Sequence, residues 1–338
     1  MVSGLTIVDN CVCFEKRYIF YVLPQHGSFC VEDRQHCVIA DPMLTTPLPA
    51  LNDIEGNKIP SSLPLVVDSH VHIFPEGIFK AIWDWFDKYG WPIRYRLNSF
   101  EVLNYLLSRG VGHIVALQYA HKSGTARKLN SYMAKICQKF PNKVTGMATV
   151  FPGEKESVSI IKEAFEMGLK GVKLHAHVQC FDMNSEDLDT IYELCLSEKK
   201  PIVMHVGREP KSPAYKCDPH LLCNSKKLER VIRNYPKLKM CVPHLGVDEF
   251  LPYKQLIEKY DNLWLDTAMA LADYLPIKNP LKIDEMRLDR IMYGSDFPNI
   301  PYAWDREIKW FKERKLSDES LERMLGKNAF DFFNIKTN

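Results

Sequence analysis

Six of the 11 histidines in this 338-residue chain fall at or near the ends of short apolar runs: His70, His72, His175, His177, His205 and His244. In VDSHVHIFP (67–75) Asp68, His70 and His72 alternate. Side chains at i and i+2 on a strand share a face, so all three are expected to point the same way. GVKLHAH repeats the pattern with Lys173, His175 and His177; single histidines close PIVMH and CVPH, and Asp296 closes YGSD. Imidazoles and a carboxylate drawn from the first, fifth and eighth runs make an N/N/N/O set with room for water. That set suits zinc or a similar divalent ion with an open position. A lone strand-end histidine is more often a hydrogen-bonded core residue than a ligand. Burying several imidazoles, a lysine and a carboxylate with nothing between them would cost roughly a few kcal/mol each. The group therefore reads as a metal site.

Such residues meet only if the fold brings their strands to one rim. Eight apolar runs, at 65–74, 111–119, 143–151, 171–177, 201–207, 239–246, 262–268 and 290–298, alternate with segments of helical spacing. Val158, Ile161 and Phe165 recur at helical intervals ahead of Gly168, a C-terminal cap signal. Leu188, Ile191 and Cys195 follow the cap-like Asn184-Ser185-Glu186-Asp187, and Ser317 opens a last helix carrying Leu321, Met324 and Leu325. The pattern predicts an α/β protein with a (β/α)8 TIM barrel, whose chemistry sits at the C-terminal strand ends. No glycine-rich phosphate loop follows any run, which removes the nucleotide-binding open sheet. Residues 1–61 differ: TIVDNCVCFE, RYIFYVLP and FCVEDRQHCVIA read as strands of a small N-terminal β-rich extension, and a Pro-rich linker leads to the barrel at 62–338.

Composition narrows the partners. Lys+Arg is 44 against 42 for Asp+Glu, so the chain has no electrostatic footprint for nucleic acid or an anionic membrane. No apolar run approaches the ~18 residues of a membrane span. MVSGLTIVDN lacks the basic and apolar regions of a secretory signal. The 10 cysteines are diluted and several sit in apolar stretches, so they read as core thiols of a cytoplasmic protein. A small molecule is the expected partner, and a homodimer is open.

VDSHVHIFP, GVKLH (171–175), MHVG (204–207), PHLG (243–246), YGSDFP (293–298) and LGKNAFDFF (325–333) together resemble the amidohydrolase superfamily of metal-dependent hydrolases. The branch they resemble most includes aminocarboxymuconate-semialdehyde decarboxylase and the resorcylate decarboxylases. The resemblance implies that His70, His72, His205 and Asp296 bind one divalent metal per chain, Zn2+ or another such as Mn2+. His244 would then sit beside the bound water or substrate oxygen. In binuclear members a carbamylated lysine bridges two metals, which makes Lys173 a second-metal or water-orienting candidate. The expected chemistry is hydrolysis of an amide, lactone or related bond of a small, anionic substrate. Asp296 moves the proton, His244 bonds the developing charge, and His175 orients the water or a substrate carboxylate. The alternatives are a non-oxidative decarboxylase on the same metal and a non-catalytic binding protein.

Three further features remain. Arg208 and Lys211 open a long loop after the fifth run and are expected to meet an anionic substrate group. Cys217, His220 and Cys223 in that loop supply only three ligands and read as structural, as do Cys11, Cys13, Cys30 and Cys37. Trp83, Trp85, Phe86 and Trp91 after the first run form either core or a wall of the mouth.

Overall fold

The computed structural model describes residues 5–8, 11–14, 30–33, 36–39, 50–207, 212–274 and 282–336. Near the N-terminus β1 (Leu5–Val8) pairs antiparallel with β2 (Cys11–Phe14), and β3 (Cys30–Asp33) with β4 (His36–Ile39). The four strands fall on two of the segments read as strands, Leu5 lying one residue ahead of the first; RYIFYVLP lies outside the described residues.

Eight parallel strands follow, one inside each predicted run: β5 (Val67–His72), β6 (His113–Leu117), β7 (Val144–Gly146), β8 (Val172–His175), β9 (Ile202–His205), β10 (Met240–Val242), β11 (Leu263–Asp266) and β12 (Ile291–Met292). Strands β5-β6-β7 form one ladder and β8 to β12 another. Two parallel bridges, Ala148 with Val172 and Val71 with Phe297, join the ladders at both seams. Backbone bonds such as Lys173 N to Ala148 O (2.8 Å) and His72 N to Phe297 O (2.8 Å) cross them. The sheet thus closes on itself as a (β/α)8 barrel, with no edge left exposed.

Alternation along the strands divides the apolar residues into two bodies. Ile114, Ala116, Ile202, Met204, Met240, Val242, Leu263 and Leu265 pack outward against the helices. The residues between them, Val115, Val203, Cys241 and Trp264, fill the lumen with Val67, Met147 and Met292. The helix Asn328–Phe333 closes the floor of that lumen with Ala329, Phe332 and Phe333. Gly168 ends the helix Ser157–Glu166 at φ +96, with Leu169 N bonded to Ala164 O, the left-handed turn a glycine makes without strain. Ser317 opens the last helical stretch, Asp318–Glu322 running on through Arg323–Lys327 into Asn328–Phe333, by accepting from Ser320 N. Part of the predicted linker is docked rather than loose. Gly56 N donates to Asp305, Trp304 Nε1 donates to Gly56 O, and Glu55 accepts from Tyr95, Tyr105 and Arg94.

Candidate metal centre

Strand β5 aims its histidines by breaking its own alternation. Val67, Asp68, Val71 and His72 pair with His113, Ile114, Ala116 and Leu117, so an extra residue is inserted between Asp68 and Val71. Asp68 therefore shares the outward face of Ile114, and the bulge turns His70 and His72 into the lumen. This corrects the expectation that Asp68 points with the two histidines, which assumed an unbroken period of two. Its carboxylate instead accepts from Ser295 N at 3.0 Å, Ser295 Oγ at 2.5 Å and His70 N at 3.2 Å. Burial raises it to about 7, with the Asp266 charge adding to the effect.

At the rim, three predicted ligands meet. His70 Nε2 lies 3.2 Å and His72 Nε2 lies 3.0 Å from the same atom, Asp296 Oδ1. His70, His244 and Asp296 each hold one donor atom within 4.8 Å of the others, all buried. Register sets the opposite wall: Lys173 pairs with Val203, and His175 with His205. Strands lie roughly 4.8 Å apart, and the His175 and His205 rings stack at 4.0 Å between centroids and 9° between planes. His205 Nδ1 reaches His244 Nε2 at 3.3 Å, which joins the two walls. His175, His177 and His205 form a second group of donor atoms within 4.8 Å. Of the expected set, His70 and Asp296 fall in the first group and His205 in the second, while His72 is in neither and bonds Asp296 Oδ1. Lys173 sits one layer below, fully buried. Burial lowers its ammonium to about 8. Arg208 and Lys211 lie outside the described residues.

Hydrogen-bond partners fix several ring orientations. His244 Nδ1 is 2.7 Å from Ala268 O; a carbonyl only accepts, so in the neutral ring the proton is on Nδ1 and Nε2 carries the lone pair. His205 Nδ1 then donates to His244 Nε2, which leaves the lone pair of His205 on its own Nε2. His70 Nδ1 donates to Asp266 Oδ2 at 2.8 Å, and its Nε2 faces Asp296. Burial, then the Lys173 charge, holds His70 well below the ordinary imidazole range, in the neutral form a metal requires. Burial alone would raise Asp296; the His72 hydrogen bond and the neighbouring positive groups outweigh it and keep the carboxylate ionised.

The side chains fit a cation. His70 Nε2 and His175 Nδ1 are buried without a hydrogen-bond partner. His70 Nε2 and Asp296 Oδ1 approach closely without forming a hydrogen bond. Two donors about 2.1 Å from one tetrahedral ion would stand ~3.4 Å apart. The backbone is strained at the same place: Asp296 has φ +61 and His244 φ +56, a region that costs non-glycine residues about 1–2 kcal/mol.

Asp266, which closes β11 in LWLD, was missed at the sequence level although its strand-end position was the available signal. It accepts from His70 Nδ1 with one oxygen and from His244 N (3.0 Å) and Ala268 N (3.1 Å) with the other. Aromatic rings line the wall beyond. Tyr119 meets His72 and His175 edge-on, and Tyr215 meets His177 edge-on and stacks on Trp85 at 5.6 Å. Trp85 is thus part of the mouth, whereas Trp83 stacks on buried Phe79, and Trp91 bonds Asn299 O. Cys195, Cys223 and Cys241 are buried, Cys137 and Cys217 are half-buried and Cys180 is exposed, so the core reading holds for part of the set; the side chains of Cys11, Cys13, Cys30 and Cys37 lie outside the description. Among the described residues no helix is long and apolar enough to cross a membrane.

The amidohydrolase family model matches residues 67–335. No curated protein matches the chain. Among solved structures, the chain is similar to 5-carboxyvanillate decarboxylase of Novosphingobium aromaticivorans, complexed with manganese and 4-hydroxy-3-methoxy-5-nitrobenzoic acid. That match has 18% identity, covers 86% of this chain and 100% of the other, and has a TM-score of 0.57. A 2,6-dihydroxybenzoate decarboxylase complexed with 2,6-dihydroxybenzoate matches at 14% identity, 80% and 100% coverage and a TM-score of 0.56. A probable 2-pyrone-4,6-dicarboxylic acid hydrolase of Acinetobacter baumannii, with citric acid bound, matches at 18% identity, 80% and 100% coverage and a TM-score of 0.53. At such identities the likeness shows the fold.

Proposed function

The chain belongs to the amidohydrolase family, and from that premise we propose that it is a metal-dependent lyase releasing CO2 from a small aromatic carboxylic acid. The observation that carries the proposal is the convergence of His70 Nε2 and His72 Nε2 on Asp296 Oδ1 within 3.2 Å, beside His244 and His205, in a buried lumen walled by aromatic rings. The order of the two sequence-level readings is reversed here. Two decarboxylases with aromatic acids bound stand among the similar structures, and Tyr119, Tyr215 and Trp85 suit a planar ring. Hydrolysis is kept as the second reading because a hydrolase stands among those structures too.

His70, His72, His205 and Asp296 would hold the ion, with Mn2+ or Zn2+ as the metal. The ion supplies Lewis acidity at an oxygen of the bound acid. The remaining roles belong to the chain. Release of CO2 breaks the bond between ring carbon and carboxyl carbon; the electron pair stays on the ring carbon, which takes a proton. Asp296, set at the rim beside His70 and His72, is the carboxylate placed to pass that proton. His244, with Nδ1 tied to Ala268 O, presents Nε2 to His205 Nδ1 and so fixes the ring of that ligand. His175 and Lys173 lie behind the acid's carboxylate, and the aromatic wall keeps water out.

The test is to supply chelator-stripped protein with Mn2+ or Zn2+ and offer hydroxybenzoic acids and lactones in parallel. CO2 release that falls by about 10³-fold or more in Asp296→Asn is the expected result. Lactone opening alone would favour the hydrolase, and inertness toward both classes would remove the reading.

A further inference from the structure

Two thiols at the mouth of the barrel have no task in that scheme. The His177 carbonyl accepts from the Cys217 thiol at 3.2 Å and from the Cys180 thiol at 3.5 Å. We propose that Cys180 and Cys217 are a reversible disulfide pair, oxidised by a low-molecular-weight disulfide, and that the bond pins the loop carrying Tyr215 against the rim.

The two cysteines come from different loops. The short helix Ala176–Gln179, directly after β8, ends at Cys180, whose φ of +55 and ψ of 46 make the left-handed cap that glycine usually takes. Cys180 is exposed there, and Cys217 is half-buried. Cys217 lies just ahead of the short helix Pro219–Leu222, which packs beside Ala176–Gln179. Two sulfurs on one acceptor oxygen are near neighbours. Cys223, the third thiol of this region, is buried and lies 3.8 Å from His177 Nδ1, on the ring rather than on the carbonyl. The shared acceptor therefore selects Cys217 as the partner of Cys180.

Exposure sets the order of the steps. The Cys180 thiolate attacks the small disulfide, one half of which leaves as a thiol and takes the Cys180 proton. Burial, then the interaction with Cys180, pushes the Cys217 thiol up to about 12. Cys217 thus stays protonated until its neighbour has reacted and that second influence is gone. Its sulfur then attacks the Cys180 sulfur of the mixed disulfide and expels the other small thiol, which takes the Cys217 proton. The two protein thiols lose two electrons, and the small disulfide gains them.

Tyr215, two residues ahead of Cys217, stands edge-on to His177 at 4.6 Å and stacks on Trp85 at 5.6 Å. The far end of its loop is already anchored to the segment after β8, because Lys227 pairs with Asp182 and Asn184 Nδ2 donates to Lys227 O at 3.1 Å. A Cys180–Cys217 bond fixes the near end to that same segment and holds Tyr215 in the wall; reduction releases it. Exposed disulfides belong to the labile, regulatory class rather than to structural staples.

The experiment treats the full chain with glutathione disulfide, blocks the remaining thiols and maps the links by mass spectrometry of peptides. A Cys180–Cys217 link that dithiothreitol reverses is expected, and Cys223→Ser should form it too. Cys217→Ser should stop one step earlier and keep one glutathione on Cys180. If that variant does not unfold cooperatively, Cys180→Ser serves, and Cys217 should then take up none. Amide hydrogen exchange over residues 212–217 should slow about 10-fold in the linked protein. A Cys217–Cys223 link, glutathione retained on Cys180 of the unaltered protein, or no change at either cysteine overturns the pairing. Unchanged exchange overturns the pinning. Neither reading uses CO2 release, so failure here and failure of the lyase reading are separate results.

Discussion

Asp266 gives one carboxylate oxygen to His70 Nδ1 and the other to the backbone N–H groups of His244 and Ala268, and so orients both proposed site histidines without touching the lumen's centre. Burial raises it to about 6, which makes it a costly residue to keep unless it is used. Asp266→Asn removes the acceptor that fixes His70, and metal affinity should fall about 10–100-fold. Titration of stripped protein with Mn2+ reads that loss; unchanged affinity would reduce Asp266 to a packing role. At this scale much was legible in the sequence, because each His and Asp was marked by its place at a strand end. The sorting of His205 toward His175 and His177 was not, since it depends on strand register and on the turn into Ala176–Gln179.

The bulge in β5 shows what an element can hide. A period of two predicted that Asp68, His70 and His72 share a face, but two strands must be compared before the inserted residue becomes visible. Gly294 protects the result: a Cβ there would stand 2.7 Å from His70 Cβ. Gly294→Ala should therefore push His70 from its place and lower metal occupancy while costing about 1–3 kcal/mol of stability. Metal content measured beside a denaturant titration checks both, and full occupancy would show that the rim gives way elsewhere. The docked segment near Glu55 was read as linker-like, because nothing in its Pro-rich composition announces its partners. Burial would raise Glu55, but hydrogen bonds from Tyr95 and Tyr105 and the Arg94 and Arg109 charges bring it below its ordinary 4.5. A depressed carboxylate contributes stability above that value and loses it as pH falls through the folded value. Glu55→Gln should thus cost about 1–2 kcal/mol at pH 7, with the gap to the unaltered protein closing below about pH 4.5. Unfolding curves at both pH values test this.

Across the whole molecule, the eight predicted runs became the eight strands because buried parallel strands read as apolar stretches, and the helical spacing between them left few other architectures. Closure at the two seams and the plugging of the floor by Phe332 and Phe333 come from contacts between distant segments, which periodicity does not carry. A closed cylinder with a packed floor leaves its polar residues only the upper rim, and there the imidazoles gather. The account rests on an ion seated among them. Crystals grown with Mn2+ and measured at the manganese absorption edge test it most directly. The account predicts an anomalous peak within ligand distance of His70 Nε2, His72 Nε2 and Asp296 Oδ1. A lumen without such a peak, in crystals saturated with the metal, would contradict it.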